Sequence, residues 1–324
     1  MRRVRYYEYG GPEVLTLEEA PEPEPGPGQV RLRTEVIGAN FVDTKFRRGD
    51  ASIFTWPLPG KITGDVVGTI EAVGDGVPAD RIGELVAGLS EDAFADQVIV
   101  DAEWAAPVPS GTADADATML AMAAPMALGL PRIGRLAAGE TVLIDAAAGG
   151  IGHLAVQFAK HVLGAGTVIA TAGSPAKLDF VRGLGADVAV DYTRPEWPDE
   201  VRTAVPGGVD VLLSSAGGEV FGQELDLLAP FGRAVVYGAA SGGELPSVSF
   251  LQLARLRMVT GYSLLALRAA APERARADMT EAAEAIRDGR VRTAVHASVK
   301  LADAAEAHRI LESRANLGRV LVHP

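Results

Sequence analysis

The stretch TVLIDAAAGGIGHLAVQFAK, Thr141 to Lys160, decides the fold. Four apolar-rich residues suit a buried strand, a glycine-bearing turn follows, and apolar residues then recur at helical spacing. Ala147, Gly149 and Gly152 hold the three spaced positions of an alanine-starting phosphate turn. Gly149 lets the backbone come close to a pyrophosphate, Gly150 leaves the turn unhindered, and Ile151 leads into the helix. Gly152 lets that helix pack against the turn. Backbone N–H groups and the positive end of the helix then face one spot, which suits an anion. A purely structural glycine turn is the competing reading of the motif alone.

The chain downstream repeats the pattern. Strand-like Thr167–Thr171, Val188–Val190, Val209–Ser214 and Arg233–Tyr237 alternate with helical Pro175–Gly183 and Phe221–Leu228. Such βα alternation predicts a doubly wound parallel sheet. After the second strand comes Gly173-Ser174-Pro175, then Lys177, where an acid would ordinarily bind a ribose hydroxyl. With no acid to repel a 2′-phosphate, Ser174 as donor and Lys177 as cation favour NADP over NAD, unless Lys177 only solvates the following helix. Tyr192 and Arg194, after the third strand, either border the adenosine, where Tyr192 suits hydrogen bonding or stacking, or are surface packing residues. Ser215 and the Gly238–Ser241 loop end later strands and are expected near the nicotinamide, though their small residues also suit plain structural turns.

Before Ser110 the pattern is different. Pro21–Gly28 is a proline-rich link, and short strand-like runs follow at Gln29–Gly38, Gly60–Gly74, Arg81–Leu89 and Phe94–Val100. Long helices are not evident there, so a smaller β domain is expected. Met258–Leu265, Val291–Val299 and Arg319–Val322 read as further strands, with helices at Glu273–Asp288 and Leu301–Arg314.

Composition narrows the function. The 324 residues are 48% hydrophobic with 37 glycines, enough for two domains and against widespread disorder. A net charge of −12 gives nucleic-acid binding little support. Absence of cysteine removes disulfides and thiolate metal sites. The five histidines, His153, His161, His296, His308 and His323, have no metal-ligand spacing, so no metal site is expected. No apolar run is long enough to insert in a membrane, and the simple expectation is a cytoplasmic protein.

Several motifs occur in order: GPEVLTLEEAPEPEPGPGQVRLR from Gly11, then Asn40-Phe41-Val42-Asp43, Arg47-Arg48-Gly49 and Gly64-Asp65-Val66-Val67-Gly68. They continue with AAAGGIG, Gly185-Ala186-Asp187, Asp191-Tyr192 and Asn316-Leu317-Gly318-Arg319-Val320. Together they resemble the zinc-free quinone oxidoreductase (zeta-crystallin-like) branch of the medium-chain dehydrogenase/reductase family over nearly the whole chain. The resemblance implies a GroES-like β-rich catalytic domain, with residues 1–119 as its N-terminal part. It also implies a Rossmann-like NADP-binding domain at 120–260, and a C-terminal part at 261–324 that returns to the catalytic domain. It implies a homodimer, and NADPH-dependent hydride transfer to a quinone or activated enone. Substrate and nicotinamide would meet where the two domains face each other.

The resemblance points to Asn40 as a polar active-site residue that orients a substrate oxygen or the nicotinamide ribose. Asp43 would line the same site or make a structural hydrogen bond, with Lys45 as its positive partner, as a proton donor or simply facing solvent. Tyrosines that the family often carries at the positions of Lys45 and Ala51 are absent, which leaves the proton donor open. Arg319 stands where lysine is common, either to meet a cofactor phosphate or to balance acidic surface. Other readings stay open at this point: a specialised biosynthetic enoyl or ketone reductase, a redox-inactive dehydratase or cyclase, and a non-enzymatic NADP-binding protein.

Overall fold

A computed structural model describes residues 1–49, 56–241 and 247–324; the Ala51 position falls outside them. The chain divides into two compact units, Met1–Met122 with Thr293–Pro324, and Ala123–Arg292.

The first unit carries β1 (Arg2–Arg5), β2 (Thr16–Glu19), β3 (Gln29–Gly38), β4 (Gly64–Val73), β5 (Leu85–Ser90), β6 (Gln97–Asp101) and β7 (Ala106–Pro107). In β3, Val30, Leu32, Thr34 and Val36 face inward while Arg33 and Glu35 face solvent. That alternation is the period of a strand with one buried face. Gly60–Gly74, read as sharply turned strands, becomes the single strand β4. Helix Phe41–Arg48, which the sequence reading did not mark, follows β3 and ends at Gly49, whose φ of 71° supplies the left-handed cap.

The second unit holds β8 (Thr141–Ile144), β9 (Thr167–Ala172), β10 (Val188–Asp191), β11 (Val209–Ser214), β12 (Leu228–Val236) and β13 (Met258–Gly261). All pair in parallel, in the order β10-β9-β8-β11-β12-β13. The order reverses at β8, so the carboxyl ends of β8 and β11 flank the switch point where open α/β sheets take ligands. Val142, Leu143 and Ile144 are fully buried, as expected of a strand covered on both faces.

Strands β14 (Val295–Lys300) and β15 (Arg319–His323) then complete the first unit's seven-stranded sheet, with β15 antiparallel to β3. The return is shorter than expected. Residues 261–292, assigned from sequence to the returning part, pack with the second unit. There helix Pro272–Arg287 buries Ala275, Ala282, Ala285 and Ile286, and Arg132 on helix Ala123–Ile133 pairs with Asp278 and Glu281. This apolar stripe needs a helical partner, and Ala123–Ile133 supplies it.

Candidate functional site

In the first unit, the pairing of β15 with β3 brings Arg319 beside Gly38. A Cβ on Gly38 would lie 2.0 Å from the Arg319 guanidinium, so glycine is what leaves room for it. Arg319 is 3% exposed; it pairs with Asp65 on β4 and donates from Nη1 to Asn40 Oδ1 at 2.8 Å. Asn40 is the N-cap residue of helix Phe41–Arg48, a position where its side chain would normally accept from the helix. Here it does not cap. Because guanidinium only donates, the atom facing Arg319 must be the amide oxygen. The Nδ2 donors of Asn40 are left without a partner among the described residues.

Arg319 therefore has a task within the fold. Buried and paired with Asp65 and Asn40, it does not balance acidic surface. Its β15 backbone pairing fixes where the guanidinium goes.

Asp43 is buried and accepts hydrogen bonds from the Thr63 N–H at 2.7 Å and the Thr63 hydroxyl at 3.1 Å. Burial pushes its carboxyl up to about 7; the Thr63 bonds pull the other way, and the charge of Asp65 adds to the rise. Lys45 is half-buried two positions further along the helix. Residues so spaced point to different faces, and the hydrogen bonds of Asp43 come from Thr63, not from the expected lysine.

In the second unit, Ala146 takes a φ of 43° at the end of β8 and opens the turn. Ala147 N–H donates to Thr171 O, and Gly149 N–H to Ala146 O. A Cβ on Gly152 would come within 2.4 Å of Ala146 O and 2.7 Å of Ala147 Cα, both backbone atoms. Gly149 is looser, at 3.2 Å from Ala146 O. Gly149, Gly150 and Ile151 are partly accessible, while Ala147 and Gly152 are buried. The helix opens at Gly152 and passes at Phe158 into a π-turn that ends at Val162. His153 uses Nδ1 against Gly149 O at 2.8 Å and steadies the turn.

Ser174 is the N-cap residue of helix Pro175–Gly183, and its side chain makes no capping bond. Lys177 lies half-buried in the first turn of that helix. The Tyr192 hydroxyl lies 3.2 Å from where a Cβ on Gly173 would be, so Gly173, Ser174 and Tyr192 share one neighbourhood at the end of β9. Arg194 points its charge elsewhere, into ion pairs with Glu196 and Glu200.

The remaining strand-end loops are zipped together. Tyr237 N–H donates to Ser214 O, Ala240 N–H to Ser215 O and Ser241 N–H to Ala216 O. A Cβ on Gly238 would sit 3.3 Å from Ser215 Cβ, and one on Gly218 would sit 3.5 Å from Ser241 Oγ. Beneath them lies Asp145, 1% exposed, which accepts from the N–H groups of Ser215 and Ala216 and from the Ser215 hydroxyl.

Comparison with known proteins agrees with this arrangement. Residues 26–110 match the alcohol dehydrogenase GroES-like domain, and residues 150–285 match the family described as zinc-binding dehydrogenase. A quinone oxidoreductase of Pseudomonas aeruginosa is 33% identical over 100% of this chain and 99% of its own. The chain belongs to the medium-chain dehydrogenase/reductase family, in its quinone oxidoreductase branch. A 2-haloacrylate reductase of Burkholderia sp. is also 33% identical, over 98% of this chain and 97% of its own. Among solved structures, a mycobacterial protein in complex with NADPH superimposes with a TM-score of 0.92 at 33% identity, covering 100% of both chains.

One of the matched families is described by zinc, and the residues of this family member do not fit that metal. Cysteine is absent from the sequence, and among the described residues no group of three or more histidines and carboxylates converges. Histidine His308 is buried with Nδ1 3.3 Å from Arg47 Nη1, and burial together with that charge pushes its imidazole down to about 3. No step through zinc is therefore drawn.

Three polar positions that partner the candidate site residues above carry no expectation from sequence: Thr63, Asp65 and Asp145. A signal existed for two of them. Asp145 interrupts an apolar strand and an alanine-rich turn, and Asp65 stands between Gly64 and two valines. A carboxylate in such a run must find donors inside the fold.

Proposed function

We propose that this chain is an NADPH-dependent reductase that transfers hydride to a quinone or to a carbon–carbon double bond activated by a carbonyl or carboxyl group. The observation that carries the reading is the Ala147–Gly152 turn. Its backbone approach leaves no room for a side chain at Gly152, and the chain matches, along its whole length, a relative solved with NADPH. The name of the Burkholderia relative, a haloacrylate reductase, supports an electron-poor alkene as acceptor.

The Ala147, Gly149, Gly150, Ile151 and Gly152 backbone would hold the pyrophosphate. Ser174, Lys177 and Tyr192 would hold the adenosine end, with Lys177 as the cation for the 2′-phosphate. Ser215, Gly238 and Ser241 would line the nicotinamide end. When bound, the dinucleotide supplies a hydride. The residues of the chain supply the rest. Asn40, its oxygen held by Arg319, presents Nδ2 to the oxygen on which negative charge develops, a donor fixed before the reaction begins. Lys45 is the candidate proton donor, with solvent as the alternative source. Asp43 supports the wall of this site through Thr63.

The homodimer is proposed on β13, the end strand of its sheet, which pairs only with β12 among the described residues. Phe231, Phe250, Leu251, Leu256 and Met258 are exposed around it; Phe250 is 79% exposed and Leu251 75%. Phe231 N–H donates to Leu256 O, which joins two of these positions in one patch. An end strand flanked by exposed apolar residues suits isologous pairing with a second copy. Sedimentation analysis tests this; a monomer at micromolar concentration contradicts it. No helix among the described residues is long and apolar enough to cross a membrane, and reliance on a reduced nicotinamide pool favours the cytoplasm.

The functional test is NADPH oxidation with a panel of quinones, enones and 2-haloacrylates, with products identified. Turnover with reduction at a ring or alkene carbon supports the reading. Tight NADPH binding without turnover of any acceptor contradicts it.

A further inference from the structure

Asp145, Ser214 and Glu224 form a buried cluster at the carboxyl ends of β8 and β11. They are 1%, 0% and 1% exposed. The Ser214 hydroxyl lies 3.2 Å from Asp145 Oδ2 and 2.7 Å from Glu224 Oε2. A hydroxyl carries one hydrogen, so it can donate to only one carboxylate. The other contact is satisfied only if its acid carries a proton and donates to Ser214 Oγ.

The surroundings decide which acid that is. Asp145 receives the Ser215 N–H, the Ser215 hydroxyl and the Ala216 N–H, all at 2.6–2.8 Å, so its negative charge is solvated by fixed donors. Among the described residues Glu224, in the last turn of helix Gly218–Leu225, has only Ser214, and its buried Oε1 has no partner. An unsolvated carboxylate in that position would be costly, while a neutral acid is tolerated. Tyr237 is the remaining titratable neighbour; burial and the two acids push its hydroxyl far above its ordinary range, so it stays neutral.

We propose that Glu224 is held as the neutral acid and donates to Ser214, which donates to Asp145, so that this one-way chain sets the Ser215–Ala216 turn for the nicotinamide end of the dinucleotide. Glu224 is thus a positioning residue, acting through Ser214 and Asp145. The positioning role rests on the cofactor reading above; the location of the proton does not.

The two parts separate in one experiment on the full-length protein. Infrared difference spectra at about pH 8, where an ordinary carboxyl and Asp43 are ionised, are recorded for the parent, Glu224→Gln and Asp43→Asn. NADPH KM and kcat are measured with one quinone for the parent, Glu224→Gln, Glu224→Ala and Ser214→Ala. The expected result is a protonated-carboxyl carbonyl band in the parent and in Asp43→Asn that vanishes in Glu224→Gln. Glu224→Gln, whose amide can still donate to Ser214, should keep the NADPH KM within about threefold. Glu224→Ala and Ser214→Ala should raise it about tenfold, with kcat changing less. A band that survives in Glu224→Gln, or no such band in the parent while NADPH binds, overturns the proposal and leaves the cofactor reading standing. Equal damage from Gln and Ala overturns the donor role. A parent that shows the band yet binds no NADPH overturns the positioning role together with the cofactor reading. If Glu224→Ala does not fold, the spectra and Glu224→Gln still decide.

Discussion

Arg319 Nη1 donates to Asn40 Oδ1 at 2.8 Å across 279 positions of sequence. The last strand of the chain thereby sets the side chain that follows β3. Gly38 makes the approach possible, and Asp65 holds the guanidinium from the other side. A short polar side chain at a helix start is given up as a cap, and its amide oxygen accepts from Arg319 instead.

The first prediction follows from that pair. On the proposed role of Asn40 as donor to a developing oxyanion, Asn40→Ala should lower kcat about 100-fold with little effect on NADPH binding. Arg319→Met leaves Asp65 buried without its cation and should cost about 3–5 kcal/mol of stability. Steady-state kinetics and chemical denaturation check the two. Unchanged kcat in Asn40→Ala would remove Asn40 from the site.

Gly152→Ala places a methyl group against Ala146 O and Ala147 Cα, neither of which can rotate away. The turn must open, so NADPH affinity should fall at least about tenfold, alongside a stability loss of about 1–3 kcal/mol. Gly149→Ala, with 3.2 Å to the same oxygen, should disturb folding less. Fluorescence titration and thermal melting measure both.

Lys177 is the candidate reader of the 2′-phosphate. Lys177→Ala should weaken NADPH about tenfold and leave NADH nearly unchanged. Equal loss for both carriers would give Lys177 a structural role only.

Asp43 should leave a mark on stability. Its carboxyl titrates near 7 in the folded chain and near 3.8 when unfolded, so between those values the folded state binds the extra proton. The contribution is full below the unfolded value and is lost as pH rises through about 7. Asp43→Asn cannot ionise, so its stability should fall less than the parent's between about pH 4 and 7. Denaturation midpoints across that range test it; parallel curves would contradict the raised value.

The sequence made the parallel sheet legible because its strands are short apolar runs separated by amphipathic helices, each visible within a window of a few residues. Val209–Ser214 and Pro175–Gly183 fall where the pattern places them. The Asn40–Arg319 bond and the Asp145–Ser214–Glu224 chain were not legible, because each includes a contact between residues far apart in sequence. Only pairing register decides which atoms meet there. The returning segment was drawn too early for a related reason: the stripe on Pro272–Arg287 shows that a partner is needed, not that the partner is Ala123–Ile133. Phe41–Arg48 was missed because its eight residues carry four charges in place of an apolar repeat.

The most direct measurement is a crystal structure of the protein grown with NADPH, read together with a binding titration of the same preparation. The expected density places the pyrophosphate on the backbone of Ala147–Gly152 and the 2′-phosphate beside Ser174 and Lys177. Density for the dinucleotide at any other place, or a titration showing no affinity for NADPH or NADH, would contradict the account.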